Sequence, residues 1–180
     1  MLDDGLGRIV MQLVAIAILL AVAPLCPAGE LRNLGPQAAP ALDLPDLAGQ
    51  SQSLDTWRGQ VVLLNFWASW CQPCLEEMPG IQRLAEKMQG KPFVVVGVNV
   101  AEARRKVERT LAQWRIDFPV LLDAEGATFR AWGGKVLPTG VLIDHQGRLR
   151  YVGLGPLEWD GVEVVSACEE LLVEARSVAR

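Results

Sequence analysis

Residues 61–74 read Val-Val-Leu-Leu-Asn-Phe-Trp-Ala-Ser-Trp-Cys-Gln-Pro-Cys, and this stretch decides the fold. Its first seven residues are almost continuously apolar, which is typical of a strand that is buried on both faces of a sheet. Residues 73–89 then have the apolar spacing of a helix, and Gly90 is suited to end it. Cys71 and Cys74 therefore lie at the point where a buried strand passes into a helix.

The start of a helix favours a reactive thiol. Unpaired backbone N–H groups and the helix dipole stabilise negative charge there. We therefore expect Cys71 to be the nucleophile, and Cys74, one turn inside the helix, to resolve the mixed disulfide. Pro73 suits the first turn, where the helix needs no backbone N–H. The pattern predicts thiol–disulfide exchange.

The same helix carries an acid on its apolar face. Positions 74, 77, 81, 84 and 88 follow the spacing of one helix face, and they read Cys, Glu, Ile, Leu and Met. Burial there would raise the pKa of Glu77 and would let it exchange a proton with Cys74, one turn away. An acid near the start of a helix also complements the helix dipole, and this alternative stays open.

The remaining pattern predicts an α/β protein with a mixed central sheet and helices on both faces. A strand, a helix and a second strand follow one another, which implies a right-handed parallel crossover. A β-hairpin and a closing amphipathic helix follow, and a small N-terminal hairpin precedes the whole. The predicted elements are the hairpin at 41–57, the strands at 61–67 and 93–99, the helix at 103–114, the hairpin strands at 140–143 and 149–152, and the last helix at 162–176.

The first 28 residues differ from the rest of the chain. Residues 9–25 are nearly all apolar, Gln12 is their only clearly polar member, and Arg8 precedes them. Such a segment is typical of an export signal or a short membrane anchor. Cys26-Pro27-Ala28 offers small residues for cleavage, and both removal and retention stay open. We predict a signal or anchor at 1–28, a linker at 29–40 and a domain at 41–180, periplasmic or otherwise extracytoplasmic.

Composition narrows the function further. The net charge of −4 and the pI near 5.1 argue against nucleic-acid binding.

Outside the targeting segment three cysteines remain, and an odd number is not a structural disulfide framework. We expect Cys168 to be a small buried apolar residue. A zinc site would need ligands beyond the pair, and only Cys168 and His145 are candidates, so we predict no resident metal and no cofactor besides the Cys71–Cys74 disulfide.

These motifs resemble the thioredoxin-like superfamily, specifically its exported, membrane-tethered TlpA/ResA/CcmG-like branch. The resemblance implies a three-layer thioredoxin-like fold. It also implies that Pro138 is cis and packs beside the disulfide, whereas the residues alone allow either isomer. Glu77 corresponds to an acid near the active site of ResA-like proteins. The resemblance covers about residues 41–180 and rests on residues 65–74, Glu77, Pro79, residues 137–139 and residues 143–147.

The chain departs from thioredoxin itself at several positions. Asn65 stands where thioredoxin has an aspartate, which leaves Glu77 as the expected proton carrier. Gly140 follows Thr139, where the branch often has a bulkier residue, and this puts substrate docking along that edge in doubt. Residues 153–159 also resemble a segment of this branch, but the sequence suggests no mechanism for that segment. The residues expected to support the site or contact the substrate are Trp70, Pro73, Pro138 and Thr139.

The resemblance implies an exported thiol–disulfide oxidoreductase that reduces disulfides in extracytoplasmic proteins, in cytochrome c maturation or copper-site assembly. Its partners would be exported proteins with disulfides, a membrane-bound thiol reductant as electron donor, and the membrane through the N-terminal segment. Two other functions stay open. One is a copper-binding or partner-docking module without turnover, since two thiolates suit Cu(I). The other is a thiol peroxidase, which would need a lone cysteine in a different motif.

Overall fold

The apolar run predicted as a buried strand lies inside a six-stranded sheet. The computed structural model describes residues 29–178. The elements are β1 (Leu31–Ala38), β2 (Asp43–Pro45), β3 (Ser51–Ser53), a 3-10 turn (Leu54–Trp57), β4 (Val61–Trp67), α1 (Gln72–Lys87), β5 (Phe93–Val100), α2 (Arg104–Trp114), β6 (Val120–Asp123), α3 (Ala127–Ala131), β7 (Thr139–Ile143), β8 (Arg148–Leu154) and α4 (Val162–Val178). The strand order in the large sheet is β1-β8-β7-β4-β5-β6, and β2 pairs with β3 in a separate hairpin.

Strand β4 supplies both hydrophobic cores. It pairs in parallel with β5 and antiparallel with β7, and all seven of its residues are buried. Because successive side chains of a strand point to opposite faces, Leu63 and Leu64 enter different cores. Leu63 packs in the core that includes side chains of α1, α2 and α4. Leu64 packs in the core that includes Trp57 and borders Phe129 of α3. The predicted three-layer fold is confirmed.

Both predicted hairpins are present. Strands β2 and β3 pair antiparallel near the N-terminal end of the described chain. Strands β7 and β8 pair antiparallel across the turn that follows Asp144. The buried carboxylate of Asp144 accepts hydrogen bonds from the backbone N–H groups of Gln146 and Arg148 and so closes this turn. A short polar side chain that bonds the backbone two residues on is a common way to fix a turn.

The predicted linker is wrong where the structure describes it. Residues 31–38 form strand β1, which pairs antiparallel with β8 at the edge of the sheet. Its register shifts between Asn33 and Gln37, and Gly35 has a φ of 66° there. Leu31 is the only buried residue of this strand, so its sequence has no apolar periodicity. Backbone hydrogen bonds to β8 hold it in the sheet instead.

The predicted signal or anchor at residues 1–28 lies outside the described residues. Across residues 29–178, the structure contains no helix that is both long enough and apolar enough to cross a membrane.

Candidate active site

Cys71 and Cys74 lie at the start of α1 and form a disulfide. Cys71 is the N-terminal cap of the helix, with an extended backbone (φ −88°, ψ 96°). The backbone N–H of Cys74 donates to Cys71 Sγ at 3.3 Å, and that of Leu75 donates to the Cys71 carbonyl at 3.2 Å. A sulfur that accepts from the first turn of a helix lies where a thiolate is stabilised.

The two sulfurs differ in access. Cys71 is 5% exposed and Cys74 is fully buried. Beside them Trp70 is 64% exposed, and Pro73 is exposed in the first turn of α1. A disulfide partner from outside can therefore reach Cys71 but not Cys74. The prediction that Cys71 attacks and Cys74 resolves rests on this difference in exposure.

The segment before β7 lies at the same end of the sheet. The Leu137–Pro138 peptide is cis, as the resemblance implies. Thr139, the first residue of β7, pairs with Phe66, so the buried Pro138 lies beside the end of β4 that leads to the cysteines. Leu137 packs against the core cluster that contains both cysteines. The Thr139 hydroxyl donates to the Val136 carbonyl at 2.7 Å and so fixes the entry into the strand.

Glu77 is a buried carboxyl one turn beyond Cys74, with 6% exposure. Asn65 Nδ2 donates to its Oε1 at 2.8 Å, and the backbone N–H of Leu157 donates to its Oε2 at 3.3 Å. Burial raises the pKa of Glu77 to about 7 and outweighs the lowering effect of these donors. The Trp159 indole N–H also lowers this pKa, although it closes no hydrogen bond of normal geometry in the described part of the chain. Glu77 can therefore take up or release a proton near neutrality.

Glu102 is a second buried carboxyl near the cysteines, and the sequence analysis missed it. Its oxygens accept from the Ser69 N–H at 2.6 Å, the Ser69 hydroxyl at 2.5 Å and Asn99 Nδ2 at 2.8 Å. Lys106 Nζ lies 2.8 Å from it. Burial raises the pKa of Glu102, but the bonds from Lys106, Ser69 and Asn99 together outweigh burial and leave the pKa below its usual value.

Glu102 anchors the loop that presents the cysteines, because Ser69 stands two residues before Cys71. One feature of the sequence could have predicted that Glu102 lies near the cysteines. Strands β4 and β5 are parallel and end at the same edge of the sheet, so a polar residue just after β5 lies near the loop after β4. Polar groups beyond the carboxyl ends of parallel strands commonly form sites in α/β proteins.

The third cysteine of the domain lies away from this chemistry. Cys168 is unpaired and fully buried in α4, and burial raises the pKa of its thiol to about 12. It packs as a small apolar residue. Within residues 29–178, His, Cys, Asp and Glu side chains form no group of three or more that could hold a metal ion.

The fold and the helix-start disulfide define a thioredoxin-like thiol–disulfide oxidoreductase. The family model described as Redoxin matches residues 35–172. The chain is 34% identical over 125 residues to thiol-disulfide oxidoreductase ResA of Geobacillus thermodenitrificans, which is 69% of this chain and 72% of that protein. It is 33% identical over 124 residues to thioredoxin-like protein YneN of Bacillus subtilis, covering 67% and 72% of the two chains.

A solved structure agrees with these relatives. The crystal structure of thiol:disulfide interchange protein DsbE from Chlorobium tepidum superposes with a TM-score of 0.67 and 33% identity, covering 78% of this chain and 96% of that one. The chain belongs to the Redoxin family, and within it to the thiol–disulfide oxidoreductases of the ResA and DsbE type.

Proposed function

We propose that this protein reduces disulfides in proteins outside the cytoplasm, with Cys71 as the nucleophile and Cys74 as the resolving thiol. The observation that carries the proposal is the placement of the two sulfurs. Cys71 Sγ accepts a backbone N–H at the helix start, and residue Cys71 keeps 5% exposure, while Cys74 is fully buried.

The reaction needs two displacements. The Cys71 thiolate attacks one sulfur of the substrate disulfide, and the other substrate sulfur leaves as a thiolate that takes a proton. Cys74 then gives its proton to the Glu77 carboxylate and attacks Cys71 Sγ. This second step releases the remaining substrate sulfur as a thiolate, which takes a proton from water to become a thiol. Two electrons pass from the dithiol to the substrate, and the product is the Cys71–Cys74 disulfide that the structure contains.

The surface around the cysteines suits a protein substrate. Three large apolar side chains are exposed there: Trp70 at 64%, Val136 at 48% and Leu154 at 40%. Leu154 pairs with Thr139 across β7 and β8, and Val136 accepts the Thr139 hydroxyl bond. They therefore flank the segment that carries Pro138. An apolar rim of this kind fits an extended protein chain better than a small polar disulfide.

The apolar residues 9–25 support an extracytoplasmic location, either anchored or secreted. Such compartments are oxidising, so a reductase there needs a supply of electrons. We infer a membrane-bound thiol reductant that returns the Cys71–Cys74 disulfide to the dithiol. Cytochrome c maturation and copper-site assembly are the processes that would use such reduced cysteine pairs.

Substrate trapping tests the proposal. In a disulfide-reduction assay with insulin, Cys71→Ser should abolish turnover. In a separate trapping experiment with exported proteins, Cys74→Ser should accumulate a mixed disulfide between Cys71 and its substrate. Cys168→Ser, which changes the buried cysteine of α4, keeps turnover and serves as the control. Wild-type turnover in Cys71→Ser would refute the proposal. Tight stoichiometric Cu(I) binding without reductase activity would instead support a metal-carrying module.

A further inference from the structure

The segment Leu157–Asp160, here called the clamp segment, connects β8 to α4 and is seated on the sheet by two glycines. Gly140 of β7 and Gly153 of β8 face each other in the register. A Cβ atom on Gly140 would overlap the Trp159 ring, and a Cβ atom on Gly153 would overlap the Leu157 side chain. The rigid Trp159 ring can therefore lie this close to the sheet only because Gly140 has no side chain, and Gly153 leaves room for the more adaptable Leu157 side chain. Trp159 is 1% exposed.

Of these two facing glycines, Gly140 lies close to Glu77 through a shared neighbour. Gly140 also pairs with Asn65 of β4, and Asn65 donates to the Glu77 carboxyl at 2.8 Å. The clamp segment approaches the same carboxyl from the other side, through the backbone N–H of Leu157 at 3.3 Å. Glu77 is thus enclosed between β4, its own helix and the clamp segment.

Surface contacts tie the clamp segment to α1. Arg83 donates to the Asp160 carboxylate from Nε at 2.7 Å and from Nη2 at 3.2 Å. Lys87 Nζ donates to the Asp160 carbonyl at 2.8 Å. Gly80 leaves the space these contacts need, because its Cβ would lie only 3.1 Å from Asp160 Oδ1. The helix that carries Glu77 is therefore held to the clamp segment one to three turns further along.

We propose that Trp159 is a positioning residue for disulfide exchange: the clamp segment covers Glu77 and keeps water away from the carboxyl that serves Cys74. This inference rests on the proposed function, since proton exchange between Glu77 and Cys74 gives the cover its purpose. It also explains Gly140. A bulkier residue there and an inward Trp159 exclude each other, so the glycine makes room for the Trp159 ring.

Burial from water, and not a nearby charge, is the main influence on the pKa of Glu77. Asn65, the Trp159 indole N–H and the Leu157 N–H are neutral groups that lower the pKa of Glu77, and burial, which raises it, is the largest cause. The clamp segment carries two acids, of which Glu158 is exposed and Asp160 is paired with Arg83. The titratable groups in its core are Cys71 and Cys74, joined in the disulfide, Cys168 on α4 and Tyr151 of β8. Those on its own helix are exposed: Glu76, Arg83, Glu86 and Lys87.

The test follows the Glu77 carboxyl by NMR of glutamate labelled at the side-chain carboxyl, with the resonance assigned by Glu77→Gln. We expect Trp159→Ala to admit water and lower the pKa of Glu77 from about 7 by about one pH unit or more. Trp159→Phe keeps an apolar cover but removes the indole N–H that lowers this pKa, so the Glu77 pKa should stay at or slightly above the wild-type value. Trp57→Ala removes an equally large buried ring from the opposite core and should leave the titration of Glu77 unchanged.

Asp160→Ala gives an independent test that leaves the core intact. Loss of the tie to Arg83 should loosen the clamp segment and lower the pKa of Glu77 in the same direction, by less than Trp159→Ala does. Glu169→Ala, which breaks the ion pair with Lys91 just beyond the far end of α1, is its control.

An unchanged Glu77 titration in Asp160→Ala, or in a folded Trp159→Ala, overturns the inference, and so does an equal shift in Trp57→Ala. Failure of the proposed function gives a different result. In that case Glu77→Gln leaves the pH profile of exchange unchanged, while the variants of the clamp segment still shift the Glu77 titration.

Discussion

Two glutamates flank the reactive disulfide; both are almost closed to solvent, the carboxyl of Glu77 lies deeper, and their pKa values shift in opposite directions. Glu77 is 6% exposed and Glu102 is 8% exposed. The pKa of Glu77 is raised to about 7 by burial, whereas that of Glu102 falls below its usual value because its hydrogen bonds and Lys106 outweigh burial. The deeper burial of the Glu77 carboxyl and the number and charge of the partners of Glu102 together decide the two protonation states.

The two environments suit two tasks. Glu102 receives three hydrogen bonds and a cation, and these join the loop at Ser69, strand β5 through Asn99 and helix α2 through Lys106. A carboxylate held this firmly is suited to fix the loop before Cys71. Glu77 has two donors of normal geometry and no described cationic side chain in contact, so its charge is costly and its proton is exchangeable.

The largest effect should come from removing the anchor. Glu102→Ala leaves the Ser69 N–H and the Asn99 amide without their acceptor, so we expect the free energy of unfolding to fall by about 4 kcal/mol. Urea titration of the purified protein measures this. Glu108→Ala, at an exposed site on α2, should change stability little. If Glu102→Ala lost no more stability than the control, Glu102 would not anchor the loop before Cys71.

The second effect is on rate. Glu77→Gln removes the proton acceptor for Cys74, and we expect the resolving step near neutral pH to slow about a hundredfold, a barrier change of about 3 kcal/mol. Rapid-mixing kinetics of a preformed mixed disulfide on Cys71 measures this step. Glu76→Gln, at the exposed neighbouring position, should react at the wild-type rate. If both variants resolve equally fast at every pH, Glu77 carries no proton in the reaction.

The pH dependence of stability should separate the two acids by sign. The folded pKa of Glu77 is raised, so its contribution is complete below its unfolded value near 4.5 and is lost as pH rises through about 7. Relative to Glu77→Gln, the wild type should lose about 3 kcal/mol of unfolding free energy between about pH 4 and about pH 8. Unfolding curves over this range measure the difference.

Glu102 should show the opposite slope. Its folded pKa is lowered, so its contribution is present above its unfolded value and is lost as pH falls through the folded value. The wild type should therefore gain stability relative to Glu102→Gln as pH rises through the acid range. Parallel slopes for the two variants would show that the carboxyls do not differ as described.

The smallest effect concerns one bond of the anchor. Ser69→Ala removes the hydroxyl donor to Glu102 and keeps the backbone donor, so we expect a loss of about 1 kcal/mol. Ser177→Ala, at an exposed site near the end of α4, is the matched control. Equal unfolding midpoints for the two variants would assign the anchoring of this loop to the backbone N–H alone.

Local features were predictable from the sequence. The apolar run of β4, the cysteines at the start of α1 and the acid on its apolar face all follow from spacing along a single element. The protonation of Glu77 was foreseen in direction, because an acid among apolar residues loses water. The cis peptide before Thr139 followed only from family resemblance.

Features that depend on distant partners were not predictable. Strand β1 was taken for a linker because β8, far along the chain, supplies its hydrogen bonds. Glu102 went unnoticed because its partner Ser69 lies 33 residues away. The cover over Glu77 comes from Leu157, 80 residues further on. Gly140 was read as a doubt about substrate docking, since nothing near it in sequence indicates Trp159.

The most direct test is a simultaneous titration of both carboxyls in the oxidised protein. Carboxyl NMR of labelled glutamate, with resonances assigned by Glu77→Gln and Glu102→Gln, reports the two groups in one sample. We expect Glu77 to titrate near pH 7 and Glu102 to titrate below the usual range of a glutamate. Coincident titration of the two carboxyls at an ordinary glutamate pKa would contradict this expectation.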